Sequence, residues 1–387
     1  MKETLFYLDI NNNSIHESST HEGCKPFVVP TQKHEDWKYT SFKKILQPAF
    51  REISNNQGVK SSDWQDNDFI TLTIKNGKVE SQTSPILHIE VDEILAYKST
   101  MLPDLLKQNN TTISFKSEYC KIRIVHVLTD TSKLISSNLK IVVTDSQKIT
   151  IIEEYAIPNE SLYFTHLEVQ AAKRAHINHY VLQDMPVLSN LVTKLKVNIA
   201  EHSTYNHNMV TLDGNIIRNE SEIEINGENA ELNLYGAYIL KGNSHVDNRT
   251  KVIHLKPNSR SNELYKGILN DKSTGVFNGR IYVHQDAQKT QAYQSNKNIL
   301  MSDEAQVYSQ PQLEIFADDV KCSHGATSAQ IEDSELFYLR ARGISMETAK
   351  AFLVYAFAEA ALENIECERF KQFLDKKIAY HLNQPYL

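Results

Sequence analysis

The chain has 387 residues, room for two or three domains and a sizeable core. Its formal net charge of −7, with no block of like charges, argues against a nucleic-acid partner, whose phosphates require a basic surface. Four widely spaced cysteines exclude a Cys-x-x-Cys site and a disulfide framework, and fit a reducing compartment.

The opening residues MKETLFYLDINNN carry no long apolar segment, and no run approaches the roughly 20 apolar residues that span a bilayer. We therefore expect a soluble, cytoplasmic protein. Residues 1–110 read as a mostly helical region. Its clearest piece is PTQKHEDWKYTSFKKIL, Pro30 to Leu46, with Thr31 as the expected cap, Glu35 and Asp36 early, and Lys43 and Lys44 late. A second helical piece is expected over Val91–Gln108, broken at Pro103.

From about Ile113 short β-rich runs follow one another, such as KIRIVHVL, LKIVVTD, HINHYVL, AELNLYG and GRIYVH. Turn signals such as Asp213-Gly214, Lys241-Gly242-Asn243 and Pro257-Asn258 separate them. No helical pattern interrupts the run, which speaks against a βαβ sheet and leaves a sandwich or barrel, or a stacked solenoid. Asn262, Asn278, Gln294 and Gln310 read as a polar ladder across stacked turns, or as solvent-facing positions. The pairs His176/His179 and His202/His207 read as ordinary surface or strand residues.

The run ends in PQLEIFADDVKCSHGAT, Pro311–Thr327, which holds the chain's Cys-x-His pair. Apolar positions are odd at Leu313 and Ile315 but even at Val320 and Cys322, so a corner is expected at Ala317–Asp319. On a strand, Cys322 and His324 share a face. A thiolate and an imidazole are both ligands for iron, zinc or copper, yet two ligands do not complete a site. A small buried cysteine beside a hydrogen-bonded histidine fits the spacing too, and spacing alone favours that reading. Asp318-Asp319 is a weak candidate carboxylate pair, because adjacent strand residues face opposite ways.

The last segment, residues 331–387, switches to helical period. Gly343 is a helix stop and Ser345 a helix cap, followed by an apolar face through Phe352, Phe357 and Ala360. A further stripe follows at Phe370, Leu374 and Ile378. Phe352, Phe357, Ala360, Phe370 and Leu374 are the expected partner-binding residues. A chain cut after Gly343 is expected to keep its β core. No phosphate-binding loop, dinucleotide fingerprint, nucleophile elbow or zinc-protease motif is present, and no catalytic residues are expected.

The segments PTQKHEDWKYT, NELYKGILNDKSTGVFNGRIYVHQDAQKTQAYQSNKNILMSDEAQ, PQLEIFADDVKCSHGAT and ELFYLRARGIS give the chain a specific likeness. It resembles the SufB/SufD family of iron–sulfur cluster assembly scaffold proteins, most closely its SufD-type members. The likeness is dense from about Glu222 to Ile344 and thinner elsewhere; Tyr308 and Ser309 stand where the family often has an Asp-Thr pair. It implies a mainly β protein, a right-handed parallel β-helix at 111–330 between N-terminal and C-terminal helical regions. It also implies a non-catalytic scaffold that pairs with a SufB-like chain and a SufC-like ATPase, or with itself when isolated. No stably bound cofactor is implied. A transient iron–sulfur cluster, or its iron, would be shared with the partner chain, with His324 the family's cluster-building histidine and Cys322 of less certain role. Two other readings remain: a purely structural solenoid module, and a carbohydrate-active β-helix enzyme. Most such enzymes are secreted and use clustered carboxylates, which speaks against the second.

Overall fold

The computed structural model describes residues 5–9, 14–16, 24–47, 64–80, 84–93, 109–129 and 134–382. Alternation of apolar and polar residues along 9- and 10-residue strands builds two facing sheets, one of ten strands and one of nine. Successive strands of the chain go to opposite sheets, and strands next but one pair in parallel and in register. The result is a parallel β-helix, as the repeat of short strands implies. The outer-face ladder Asn178–Asn206–Asn233, with members 28 and 27 residues apart, gives the length of one turn.

The turns repeat as closely as the strands. Ser146, Arg174, His202, Asn229, Asn258 and Lys289 each take a left-handed backbone conformation at the same corner. Each donates its N–H to a carbonyl of the next turn, from Ser146 to Lys173 through to Lys289 to Asp319. The corner's polar backbone is thereby satisfied without a regular strand. Inside the coil, Ile151, Ile177, Val197, Ile223, Val252 and Ile281 belong to one continuous core.

The N-terminal part differs from the helical expectation. Strand Ile70–Lys75 pairs in parallel with Tyr119–Val127, so the ten-stranded sheet begins well before residue 111. Leu87–Glu93 and Asn109–Phe115 extend the other sheet. Both ITLTIK and LHIEVDE have a period of two, which wins over helix propensity here. Val91 to Glu93 is therefore strand, and the rest of the expected Val91–Gln108 helix lies outside the described residues.

Pro30–Leu46 holds only a 3-10 turn at Glu35–Trp37 and a short helix Phe42–Ile45, capped by Ser41 rather than Thr31. Tertiary contacts override the helical pattern. Trp37 lies under the Arg218 guanidinium, Arg218 also donates to the Asp36 carbonyl, and Asn190 donates to the Ile45 carbonyl. The segment is laid along the outside of the nine-stranded sheet.

The C-terminal helices are Asp333–Arg340, Met346–Glu359 and Glu368–His381. Gly343, with φ of +87°, ends the first connection, and the Ser345 hydroxyl accepts from the Thr348 N–H, as expected. Val354, Ala358, Leu362, Phe370, Leu374 and Ile378 pack with Ile152, Tyr180, Leu182, Val210 and Ile239 on the outside of the ten-stranded sheet. No helix among the described residues is long and apolar enough to cross a membrane.

Candidate functional site

The chain leaves the coil through its last turn. Strand Gln306–Ile315 is the outermost of the nine-stranded sheet, and Lys321–Ala329 is the outermost of the ten-stranded one. The corner between them falls at residues 316–320, where the parity of the apolar positions changes. Asp318 and Asp319 form its bend. The Asp319 N–H donates to the Gln288 side chain at 2.9 Å, and its carbonyl accepts from the Lys289 N–H at 2.6 Å. They serve as turn formers.

Past this corner, Cys322 pairs in register with Ala292, and His324 with Gln294. Ala292 is fully buried and Gln294 is 3% exposed, so Cys322 and His324 both point along the inward face. Cys322 is half-buried at the rim of the core, whereas His324 is exposed because no further strand covers it. From the facing strand, Ser309 continues the inward position of the buried Phe277, and Leu313 that of Ile281. Tyr308, its outward neighbour, stacks on Tyr39 at 4.2 Å, tying the N-terminal segment to the same last turn.

Burial pushes the Cys322 thiol up, against a backbone hydrogen bond involving Ala292. The sulfur is therefore a thiol in the isolated chain and needs a metal or a cationic neighbour to become a thiolate. The imidazole is open to solvent. Among the described residues no group of three or more His, Cys, Asp or Glu side chains could hold a metal ion. One nitrogen and one sulfur are too few for a closed metal site within this chain's described residues.

The expected partner-binding residues divide. Phe352 is 40% exposed, and Phe357 is partly covered, with the Lys266 ammonium 4.4 Å from its ring centre. Ala360 is also partly covered. Phe370 and Leu374 are buried against Trp64, Tyr180 and the sheet, which corrects their assignment to a partner surface. The sheet's own apolar outer face needed their cover. The same burial speaks against removing the helices without loss, because Leu182, Val210 and Ile239 would be uncovered. Sequence reasoning missed Phe337, 74% exposed, and Tyr338, 57% exposed, on the first of these helices. Two adjacent aromatics cannot both face inward from a short helix, and that was the available signal.

The histidine pairs divide as well. His202 is on the surface, but His179 and His207 are inside the coil, in the same inward column as Ile151. Glu153 accepts from Tyr155 at 2.6 Å, and meets His126 at 3.0 Å and His179 at 3.1 Å through their Nε2 atoms. Tyr163 and Tyr205 hydroxyls reach the two Nδ1 atoms. One assignment satisfies all five contacts: both imidazoles carry their proton on Nε2 and accept at Nδ1. Burial alone would raise the Glu153 carboxyl, but the bonds from His126 and His179 hold it well below its ordinary value. Burial pushes His207 down to about 3, so it is neutral. Glu153, His126 and His179 are buried and bonded to one another, while the His207 Nδ1 makes no hydrogen bond; the cluster is a buried structural network rather than an open site.

The polar ladder is likewise redistributed. Asn278 and Gln310 adjoin and bond on the outside of one sheet, and Asn262 is outside the other. Gln294 is inside, directly beneath His324.

Fold and end-strand geometry together define a β-helical protein that presents Cys322 and His324 on one face of its terminal strand. A family model described as the SufBD core domain of the SUF system for FeS cluster assembly matches residues 126–357. The iron–sulfur cluster assembly protein SufD of Escherichia coli is 31% identical over 92% of this chain and 89% of its own length. An iron–sulfur cluster assembly SufBD family protein of Synechocystis is 30% identical over 62% of this chain and 55% of its own. The chain belongs to the SufBD family of iron–sulfur cluster assembly proteins.

Proposed function

We propose that the chain is a non-catalytic, cytoplasmic scaffold subunit of a SUF-type assembly complex, of the SufD kind. It pairs with a SufB-like chain across the open end of the β-helix, and with a SufC-like ATPase through its C-terminal helices. The cluster is cargo, built transiently where His324 and Cys322 meet ligands of the partner chain. One observation supports this reading: the two inward-facing groups stand on a terminal strand whose outer edge pairs with no other strand among the described residues. Such an edge is a template for a strand of another chain, and that chain would bring the missing ligands with it. The exposed Phe337, Tyr338 and Phe352 supply apolar area for the ATPase. Hydrolysis stays with that partner, since this chain has no phosphate-binding loop.

The test is co-purification of the chain with SufB-like and SufC-like partners, followed by reconstitution with iron and sulfide. The complex bearing His324→Ala should assemble normally and lose cluster formation, with Cys322→Ser milder. Normal cluster yield from a well-assembled His324→Ala complex would leave the module as a purely structural one.

A further inference from the structure

The inward column that ends in His324 is polar for three successive turns. Glu263 pairs in register with Gln294, and Gln294 with His324. Neighbouring strands are about 4.8 Å apart, so Glu263 lies roughly 10 Å behind the imidazole. Below Glu263 the column continues with the apolar Leu234, and then with His207 and His179.

Glu263 is fully buried, and Gln294 nearly so. The Glu263 Oε2 accepts from the Thr250 hydroxyl at 2.6 Å. Its Oε1, and both amide atoms of Gln294, make no hydrogen bond of ordinary geometry. Such groups are costly when buried and unpaired. Gln294 also has room made for it. A Cβ on Gly279 would stand 2.3 Å from the Gln294 Nε2, so the amide occupies the space left by that glycine. The Ser309 hydroxyl, inward on the last strand, is unpaired too. Burial raises the Glu263 carboxyl to about 7, with Thr250 and Gln294 pulling the other way. The titratable group facing it is Tyr265, two residues along the same strand, which the Glu263 charge helps to hold protonated.

The coil already shows what amides do in such a column. On its outer face Asn233 donates to Asn206 and Asn206 to Asn178, each at 2.9 Å. Amide tips on successive turns bond along the coil axis. We propose that Glu263 and Gln294 are positioning residues for His324, with the Gln294 amide handing the state of the Glu263 carboxyl to the imidazole. With Glu263 ionised, Gln294 Nε2–H donates to its Oε1, and Gln294 Oε1 is left to accept a ring N–H of His324. The other ring nitrogen then offers its lone pair at the open end, as an orienting partner does for a ligating histidine. With Glu263 protonated, its O–H donates to Gln294 Oε1 instead. The amide then presents N–H to the ring and ties up a ring lone pair.

This inference rests on the reading of His324 as a ligand, but its test needs no cluster. The tautomer of the neutral His324 ring is read from its nitrogen NMR shifts in the full-length chain at pH 9. Wild type should show one dominant tautomer. Glu263→Gln, which mimics the protonated acid, should shift the ratio several-fold, and Gln294→Leu should bring it to that of a free imidazole. Melting curves of the three proteins verify that each is folded. An unchanged ratio in both variants overturns the proposal, as does a Gln294→Leu protein that keeps the wild-type ratio. Failure here leaves the scaffold reading standing, and loss of that reading would not alter the tautomer.

Discussion

The Arg218 guanidinium lies 3.6 Å from the centre of the Trp37 ring, on the outer face of the nine-stranded sheet. The same guanidinium pairs with the fully buried Asp247 at 2.7 Å, and Asp247 also accepts from the Thr40 hydroxyl at 2.6 Å. Arg218→Ala removes the roof over Trp37 and one of the two cations on Asp247, Arg249 being the other. We expect a loss of about 3–5 kcal/mol in urea unfolding. Trp37→Ala should cost a similar about 3–5 kcal/mol and speed proteolytic release of the N-terminal segment. Near-neutral results for both would mean that this segment is not fastened here.

Glu263 gives a pH signature. Its ordinary value is 4.5 and its folded value about 7, so the native state holds its proton longer than the unfolded chain does. The contribution to stability is full below pH 4.5 and is lost as pH rises through 7. That loss is about 3 kcal/mol at about 1.4 kcal/mol per unit. Glu263→Gln lacks this dependence, so its stability relative to wild type should improve by most of that amount, about 2.5 kcal/mol, between pH 5 and pH 8. A constant difference across that range would show that Glu263 titrates as an ordinary carboxyl.

His324 and Cys322 should be separable from the fold. His324 is exposed and contacts no core cluster, so His324→Ala should change stability by less than about 0.5 kcal/mol. Cys322 touches the core rim, and Cys322→Ser should cost no more than about 1 kcal/mol. Denaturant midpoints measured beside cluster yield separate the roles; a large midpoint shift for His324→Ala would make it a structural residue.

The C-terminal helices should respond in two ways. Phe337→Asp and Phe352→Asp lie on exposed positions and should weaken ATPase binding at least tenfold in titration calorimetry while leaving melting unchanged. Phe370→Ala empties a packed site between Trp64 and Tyr180 and should cost about 3–5 kcal/mol of stability. If Phe370→Ala weakens ATPase binding in a protein of unchanged stability, the assignment of faces is reversed.

The strands were legible because ten-residue alternation survives in the sequence, and the corner at Ala317–Asp319 was legible as a change of parity. Ser345 and Gly343 were legible because caps are local chemistry. Pro30–Leu46 was not, because Arg218, Asp247 and Asn190, far away in sequence, decide its course. Gln294 looked like a surface amide, since nothing local reveals that it alternates with Ala292 toward the inside. Phe370 and Phe352 are equally apolar, and only the position of the sheet tells which one is covered. At the site, the shared face of Cys322 and His324 followed from strand geometry, whereas Glu263 behind His324 required the register of the coil.

Among the described residues no strand covers the outer edge of the last turn, and that bears on how the cell must supply the protein. Lys321–Ala329 offers a free hydrogen-bonding edge beside the exposed Ile315 and Phe316. A copy made in excess of its partner keeps that edge bare, and a bare edge recruits whatever strand it meets. We expect synthesis of the two chains in matched amounts, and surplus copies that self-associate end to end. Light scattering on the chain alone, with and without an added equivalent of its partner, reads this directly: surplus chain that stays monomeric at high concentration would show the edge to be inert.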